Sequence, residues 1–320
     1  MKQMISKVRK FTSGIPEMGV LIALILIMAV TQIANHNFLT VTNMTSMLKS
    51  IPFIALATLG SSFCLITKEV DISIGRVAGM SGMVFGYLLM QTNNLTLSAV
   101  CGVGVGLLTG LVNGFLVVKA GINSFIVTMG TLYISGGIRY LINNSNAMTL
   151  PEHYRNFSQQ TPLGVSWFFW AVVVIFILVG FIQKKTVYGR QLYAVGNNEE
   201  VARLQGVHTR WIKMSAFLIS GLFAGLAGVM ATIDINSAQP ATGTAWEFKA
   251  VAACCVGGCS LLGGTGRSFG VALGVFVVFI INNIINMMSI SNYYADVFTG
   301  CVLAGAVLID IFRKSQKIPA

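Results

Sequence analysis

The sequence predicts an all-α, polytopic membrane protein of about ten transmembrane helices. Of its 320 residues, 55% are hydrophobic and only 10% are charged, whereas a soluble domain carries about 25% charged residues. A helix needs roughly 20 apolar residues to cross a bilayer, so the chain has room for about ten such helices joined by short loops. These proportions exclude a disulfide-rich secreted scaffold, a disordered chain and an ordinary soluble enzyme.

Apolar runs and the polar turns between them place the predicted helices along one transmembrane domain, residues 1–320. A cytoplasmic segment at 1–17 precedes the first run, and a cytoplasmic tail at 312–320 follows the last. The eighth run is short and rich in Gly and Cys, which suits a broken or re-entrant element. The ten predicted spans are residues 18–35, 50–67, two within 77–118 divided by a polar turn at 91–94, 122–142, 163–183, 214–233, 248–262, 268–288 and 293–311.

The excess of basic residues predicts how the chain is oriented. The chain has 21 Lys and Arg against 10 Asp and Glu, and with ten crossings 17 of the 21 fall on the same side as both termini. Arg76 lies inside in this count, and Arg139 lies outside. Cytoplasmic loops carry such an excess, so we expect both termini to be cytoplasmic and do not expect the charge to bind nucleic acid.

Glycine spacing predicts close helix packing and two related joints. Glycines at every fourth position from Gly102 to Gly114 form a ridge of the kind that lets membrane helices approach closely. The joint at 68–76 and the joint at 262–267 both contain a Gly–Arg step, a weak sign of a two-fold internal pseudo-repeat, which is common in transporters. Structural roles at these joints are predicted for Asp71, Ser73, Gly75, Gly263, Gly264 and Gly266, with Asp71 as a cap of the third span.

Motifs for nucleotide binding, metal binding and catalysis are missing from the sequence. The glycine-rich segment 257–266 is not followed by the Gly-Lys-Ser/Thr of a phosphate loop. Cys255 and Cys259 are about one helical turn apart but have no His nearby, and His36, His153 and His208 all fall in predicted loops. We therefore expect no enzymatic activity, no cofactor and no metal in this chain.

The longest hydrophilic stretch, residues 184–213, contains one predicted short helix. Asn198 is a suitable N-cap, acidic residues follow it where the helix dipole favours anions, and Gly206 is a suitable stop. Val201 and Leu204 give this helix a small apolar edge. Two interpretations stay open: a solvated connector, or a helix that docks in a groove of a cytoplasmic partner.

Several segments resemble the sugar-type ABC importer permeases, the membrane subunits of ribose, arabinose, xylose, galactose and autoinducer uptake systems. Residues 71–75, Asp-Ile-Ser-Ile-Gly, are similar to the family's Asp-Leu-Ser-Val-Gly signature. Residues 37–43, 113–128 and the glycine-rich 257–266 resemble further family segments. Relatives usually have a glycine pair before the Asp-Leu-Ser signature, where this chain has Lys-Glu-Val at 68–70. Local charge contacts of Lys68 with Glu69 or Asp71 are expected there.

The resemblance implies a permease subunit, without enzymatic activity of its own, that imports a monosaccharide or similar small polyhydroxylated solute across the bacterial cytoplasmic membrane. It implies three partners: a cytoplasmic ATPase subunit that uses ATP and Mg, an extracytoplasmic solute-binding protein, and a second permease copy or paralogue. The residues expected to couple the ATPase to the spans are Gly189, Arg190, Asn197, Glu199, Glu200, Ala202, Arg203, Leu204 and Gly206.

A path for neutral sugars needs hydrogen-bonding and aromatic side chains within the membrane. The candidates are Phe63, Asn113, Asn123, Phe125, Asn282, Asn283 and Asn286, together with Ser124 and Thr128. For each Asn the alternative is a helix cap or an interhelical hydrogen bond. An ion-coupled secondary transporter is the alternative function, and it would need ionisable groups near the midplane. Asp234, Glu247 and Asp296 are instead expected at outer span ends, which disfavours it.

Overall fold

The computed structural model describes residues 17–151, 154, 161–288, 291 and 293–315. The chain is 77% helical with twelve α-helices and no sheet core among the described residues, so the all-α class is confirmed. A two-residue antiparallel pair joins β1 (Met148–Thr149) to β2 (Ser237–Ala238). The helices are α1 Met18–Ala34, α2 Val41–Ile66, α3 Ile74–Thr92, α4 Leu95–Val118, α5 Ser124–Leu141, α6 Trp167–Lys185, α7 Val187–Asn197, α8 Glu199–Leu204, α9 Thr209–Ile235, α10 Trp246–Val256, α11 Ser268–Met287 and α12 Tyr293–Ser315.

Each predicted span overlaps one of these helices, but the helices differ in length and apolarity. By those two criteria, five described helices can cross a membrane on their own: α2, α4, α6, α9 and α11. Helix α2 begins at Val41, nine residues before the predicted span, and continues through Pro52 without ending. The chain is therefore a helical protein with several membrane-crossing helices.

Helix α9 lies at the centre of the bundle and packs against α2, α3 and α4. The predicted glycine ridge of α4 faces it. A Cβ on Gly106 would collide with the backbone of Gly221 and Gly225, and a Cβ on Gly110 would collide with the carbonyl of Phe217. The ridge thus lets two helix backbones approach closely, as small residues do in membrane bundles.

Helix α3 begins inside the bundle and not at its inner end. Ala78 of α3 packs against Gly228 of α9, and Gly82 packs against Thr232, so the first turn of α3 lies level with residues near 224. That level is about 22 Å along α9 from Thr209, at 1.5 Å per residue. The non-helical segment 67–73 runs alongside α9 up to that level. Arg76, expected at the inner face, consequently lies level with the middle of α9.

Helix α10 is too short for the predicted span 248–262. Its 11 residues extend about 16 Å, whereas the hydrocarbon core is about 30 Å thick. The residues beyond Val256 form turns, with positive φ at Gly258, Gly263, Gly264 and Gly266. The turn before α10 reaches α3, where Gly243 packs directly on Gly75. Two half-inserted segments, 67–73 and 239–245, thus meet at the start of α3.

The hydrophilic stretch 184–213 is almost entirely helical, which corrects its interpretation as a loop. Its first two residues are the end of α6, and its last five are the beginning of α9. Helices α7 and α8 lie between them. Asn197 ends α7, and Asn198 caps α8 by accepting a hydrogen bond from the Val201 amide at 3.1 Å. The predicted short helix is therefore present, and a second helix precedes it.

Candidate functional site

Helix α8 presents one apolar edge outward and one residue inward. Leu204 is 80% exposed and Val201 is 47% exposed, whereas Ala202 is 2% exposed. Gly206 follows the helix with φ +81, the left-handed conformation that glycine adopts at helix ends without steric cost. The apolar edge formed by Val201 and Leu204 is therefore accessible to a partner protein.

Lys213, in the first turns of α9, joins α8 to the joint after α2. Its Nζ lies 2.6 Å from Glu199 Oε2 and 2.9 Å from Glu69 Oε1. Partial burial raises the pKa of Glu199, but the hydrogen bond and charge of Lys213 outweigh that effect, so the pKa lies below its usual value. Glu69 thus pairs with Lys213 and not with Lys68, which corrects the local contact expected from sequence.

Lys68 takes the left-handed conformation directly after α2, with φ +66. Glycine adopts such a φ freely, whereas a residue with a Cβ is strained there. The glycine pair that the resembling permeases usually have at this joint would adopt that backbone conformation without strain. This chain therefore has a lysine in a strained conformation at the joint.

Helix α7 is attached to both inner joints. Tyr193 Oη donates to the Gly266 carbonyl at 2.5 Å, and burial raises the pKa of Tyr193 to about 12, which keeps the donor protonated. The Gly264 amide donates to the Ile66 carbonyl at 2.9 Å. A Cβ on Gly196 would overlap that same Ile66 carbonyl. Helix α7 is thereby in direct contact with both joints.

A buried hydrogen-bond network ties the start of α3 to three other helices. Asp71 Oδ1 accepts from the Ser73 amide at 2.9 Å and from Ser73 Oγ at 2.6 Å, and Asp71 Oδ2 accepts from Ser220 Oγ at 2.6 Å. Asn113 Nδ2 donates to Ser73 Oγ at 3.2 Å, and Thr131 Oγ1 donates to Asn113 Oδ1 at 2.6 Å. The hydrogen bond from the Ser73 amide to Asp71 is the contact expected if Asp71 caps the third span.

Helix α5 holds the joint from its other side. Ser124 Oγ accepts from the Val70 amide at 3.2 Å, and Thr128 Oγ1 donates to the Val70 carbonyl at 3.3 Å. Both backbone groups of one non-helical residue are thereby satisfied inside the bundle, which the bilayer requires. Two residues proposed for the solute path have their hydroxyls engaged here.

The other path candidates are dispersed across the described structure. Asn113 lies in the buried network, and Asn123 caps α5 by accepting from the Phe125 amide. Asn282 bonds within α11, and Asn283 exchanges two hydrogen bonds with Asn43 of α2, at 2.9 and 3.1 Å. Phe63 is buried, whereas Phe125 and Asn286 are exposed. The contacts show helix-joining roles for several of these side chains, and their role in a path stays a prediction.

The remaining coupling candidates are exposed on the protein surface or lie where two helices join. Gly189 is buried where α7 turns away from α6, and its amide donates to Thr186 Oγ1 at 3.1 Å. Arg190, Glu200 and Arg203 are exposed, and Asn197 Nδ2 donates to the Tyr193 carbonyl at 2.9 Å. Among the described residues, no group of three or more His, Cys, Asp or Glu could hold a metal ion.

Three charged residues that the sequence placed at helix ends converge inside the bundle. Arg139 is 1% exposed and donates to the Thr242 carbonyl at 2.8 Å and to Thr244 Oγ1 at 3.0 Å. Glu247 is 2% exposed, with its Oε1 4.0 Å from Arg76 Nε. Glu247 does lie in the first turn of α10 and Arg139 in the last turn of α5, but both side chains are buried against other helices. The sequence carries no local signal for this convergence, because the three residues lie on α3, α5 and α10.

Comparison with known proteins agrees with this architecture. Residues 43–307 match the family described as "Branched-chain amino acid transport system / permease component". The L-arabinose ABC transporter permease protein AraH of Azospirillum brasilense is 31% identical over 300 residues, 93% of this chain and 88% of its own length. The ribose import permease protein RbsC of Haemophilus influenzae is 30% identical over 302 residues, covering 93% and 94%. The autoinducer 2 import system permease protein LsrC of Escherichia coli is 32% identical over 302 residues, covering 94% and 88%.

Proposed function

The chain belongs to the branched-chain amino acid transport system / permease component family, and on that premise we propose that it is the membrane subunit of an ABC importer for a monosaccharide or similar neutral, polyhydroxylated solute. The similar permeases named for arabinose, ribose and autoinducer 2 align over nearly the whole chain, which favours such a solute over an amino acid. Family membership makes the chain a multi-pass membrane protein, and the cytoplasmic membrane of a bacterium is its proposed location.

One observation carries the proposed mechanism: α8 shows an apolar edge outward while Lys213 ties the helix to the transmembrane core. Val201 and Leu204 are exposed, and Glu199 in the same helix pairs with Lys213 at 2.6 Å. A six-residue helix is unstable alone in water, so its capping and anchoring suit a helix that enters a groove of another protein. That protein would be a cytoplasmic ATPase subunit that binds ATP and Mg.

The proposed division of labour follows from this anchoring. Closure of two ATPase domains would push on α8, and the push would pass through Lys213 and α7 to the joints at 67–73 and 257–267. A solute-binding protein would deliver the solute from outside, and a second copy or a paralogue would complete the path. Ten crossings with both termini cytoplasmic would place α8 on the ATPase side, as the excess of basic residues favours.

Buried carboxylates bear on the alternative function, an ion-coupled secondary transporter. Asp71 and Glu247 are both buried at 2% exposure, so the bundle does contain enclosed carboxylates. Both carboxylates have polar or charged neighbours on other helices, and the family match favours ATP as the energy source. Uptake should therefore depend on ATP and survive collapse of the ion gradients.

The test is uptake by proteoliposomes that contain this chain, its candidate ATPase subunit and its binding protein. We expect ATP-dependent uptake that an uncoupler leaves unchanged. Leu204→Asp should abolish ATP-driven uptake, because a charge on the exposed edge cannot enter an apolar groove. Gln205→Asp, at an exposed neighbouring position, is the control and should retain uptake. Uptake that continued without ATP, or equal uptake by both variants, would contradict the proposal.

A further inference from the structure

We propose that Arg76 contacts the passing solute, its guanidinium donating hydrogen bonds to solute hydroxyl oxygens while Glu247 holds it in position. This inference rests on the proposed function and adds to it a specificity-determining residue. It starts from the depth of Arg76. The first turn of α3 lies about 22 Å along α9 from the start of that helix, beside the point where the turn at 239–245 enters the bundle.

The guanidinium of Arg76 has unused donors. Its nearest described carboxylate oxygen, Glu247 Oε1, lies 4.0 Å from Nε, too far for a hydrogen bond. Nε is buried without a partner, and no hydrogen bond joins Arg76 to another residue of the described structure. Yet 27% of the side chain is accessible. An arginine carries five N–H donors, and unmet donors inside a membrane protein are costly and mark function by default.

Arg139, the neighbouring arginine, shows what a structural guanidinium looks like at this depth. It is enclosed, and two of its nitrogens donate to the turn at 242–244. Arg139 therefore fastens the turn to α5. Arg139 Nε is also buried without a partner, but Arg76 differs from Arg139 in two respects: its side chain is 27% accessible, and none of its nitrogens meets a hydrogen-bond acceptor among the described residues. The pair thus contains one anchoring residue and one residue available to a ligand.

The charges around Arg76 indicate what kind of ligand would use its donors. The charged side chains that meet at this point are Arg76, Arg139 and Glu247. Glu247 offsets one of the two positive charges. An arginine offers only donors, and a neutral molecule with several hydroxyl oxygens supplies the acceptors that Arg76 lacks among the described residues. This matches the polyhydroxylated solute of the proposed function.

The experiment measures discrimination between a sugar and its monodeoxy analogues in the reconstituted importer. The probes are D-ribose, L-arabinose, D-xylose and D-galactose and their monodeoxy derivatives, each at a concentration that saturates the binding protein. Wild type should carry at least one parent sugar roughly 10- to 100-fold faster than the analogue lacking the contacted hydroxyl, the effect of a hydrogen bond to a charged group. Arg76→Gln should reduce that ratio to about 1, and Arg76→Lys should restore part of it.

A second variant moves the guanidinium without changing its charge. A Cβ at Gly136 would lie 2.9 Å from Arg76 Nη1, whereas a Cβ at Gly137 would meet nothing within 4 Å. Gly136→Ala should therefore lower the discrimination ratio, and Gly137→Ala should not. Arg139→Gln should lower thermal stability and all uptake rates while leaving the ratio unchanged, because its contacts are structural.

The outcomes separate this inference from the proposed function. Absence of ATP-dependent sugar uptake by wild type would overturn both. Wild-type uptake with the same ratio in Arg76→Gln and Gly136→Ala as in wild type would overturn this inference and leave the proposed function standing. Equal rates of every parent and deoxy sugar in wild type would overturn this inference as well, since no solute hydroxyl would then contribute to transport.

Discussion

The ammonium of Lys213 lies 2.6 Å from Oε2 of Glu199, and this contact fastens the short helix α8 to the central helix α9. The same ammonium lies 2.9 Å from Glu69 Oε1 at the joint after α2. One side chain thus links the proposed ATPase-docking helix to the segment that leads into α3. In the proposed mechanism, this link carries a displacement of α8 to that segment.

Breaking this link should uncouple the ATPase from transport. Lys213→Met removes the charge and keeps the aliphatic stem, so we expect uptake per ATP hydrolysed to fall several-fold. Lys213 and Glu69 are largely buried, at 18% and 13% exposure, so Glu69 loses its partner inside the protein and the melting temperature should fall as well. Uptake and ATP hydrolysis, measured on the same proteoliposomes, give the ratio. The exchange Lys213→Glu with Glu199→Lys should recover part of it, and no recovery beyond Lys213→Glu alone would contradict a direct link.

The contact should be insensitive to pH until well into the acid range. Because Lys213 holds the pKa of Glu199 below its usual value of 4.5, the stabilisation is fully present above that value and is lost as the pH falls through the lowered pKa. We expect no change in the attachment of α8 between pH 7 and about 5, followed by loosening at lower pH. Hydrogen exchange of the α8 amides measures it. Glu199→Gln should be loosened at every pH, and an identical pH profile in that variant would exclude Glu199 as the titrating group.

Adding a methyl group where α7 meets α2 should destabilise the protein. A Cβ on Gly196 would overlap the Ile66 carbonyl, whereas a Cβ on Gly104 would meet nothing within 4 Å. Overpacking of this kind costs about 1–3 kcal/mol, so Gly196→Ala should lower the melting temperature in detergent and reduce uptake. Gly104→Ala is the matched control and should behave like wild type. Equal melting temperatures for the two variants would show that α7 does not pack on α2 as described.

The buried carboxylate at the start of α3 should contribute to stability through its hydroxyl donors. Asp71, in the non-helical segment 67–73, accepts from Ser220 Oγ of α9 at 2.6 Å. Ser220→Ala leaves a buried carboxylate oxygen without that donor, which costs about 1–3 kcal/mol. We expect a lower melting temperature for Ser220→Ala and for Asp71→Asn. The double variant should lose less than the sum of the two, as contacting residues do, and strict additivity would contradict the contact.

Relieving the strained joint should stabilise the chain. Lys68 has φ +66, which costs a residue with a Cβ about 1–2 kcal/mol relative to glycine. Lys68→Gly should therefore raise the melting temperature, and Lys68→Val, which is β-branched, should lower it. A thermal unfolding series of the three proteins gives the order. The reverse order would mean that the Lys68 side chain contributes more than its backbone costs.

The sequence by itself determined the features that depend on local order. Composition and apolar runs predicted an all-α membrane protein because lipid requires long apolar helices. The cap at Asn198 and the stop at Gly206 were readable because capping joins residues within one turn. The glycine ridge of α4 was readable because its spacing follows the helical repeat.

Only the tertiary structure decided which distant residues meet. Lys213 with Glu69, Asp71 with Ser220, and Arg76 with Glu247 join residues separated by more than 140 positions in each case, and no local pattern specifies such a partner. The depth of a charged residue was equally hidden, since Arg76 and Glu247 follow non-helical segments that enter the bundle before their helices begin. A hydropathy pattern places a charge at the end of an apolar run, but the packing of α3 against α9 and α5, and of α10 against α11 and α2, sets where that end lies.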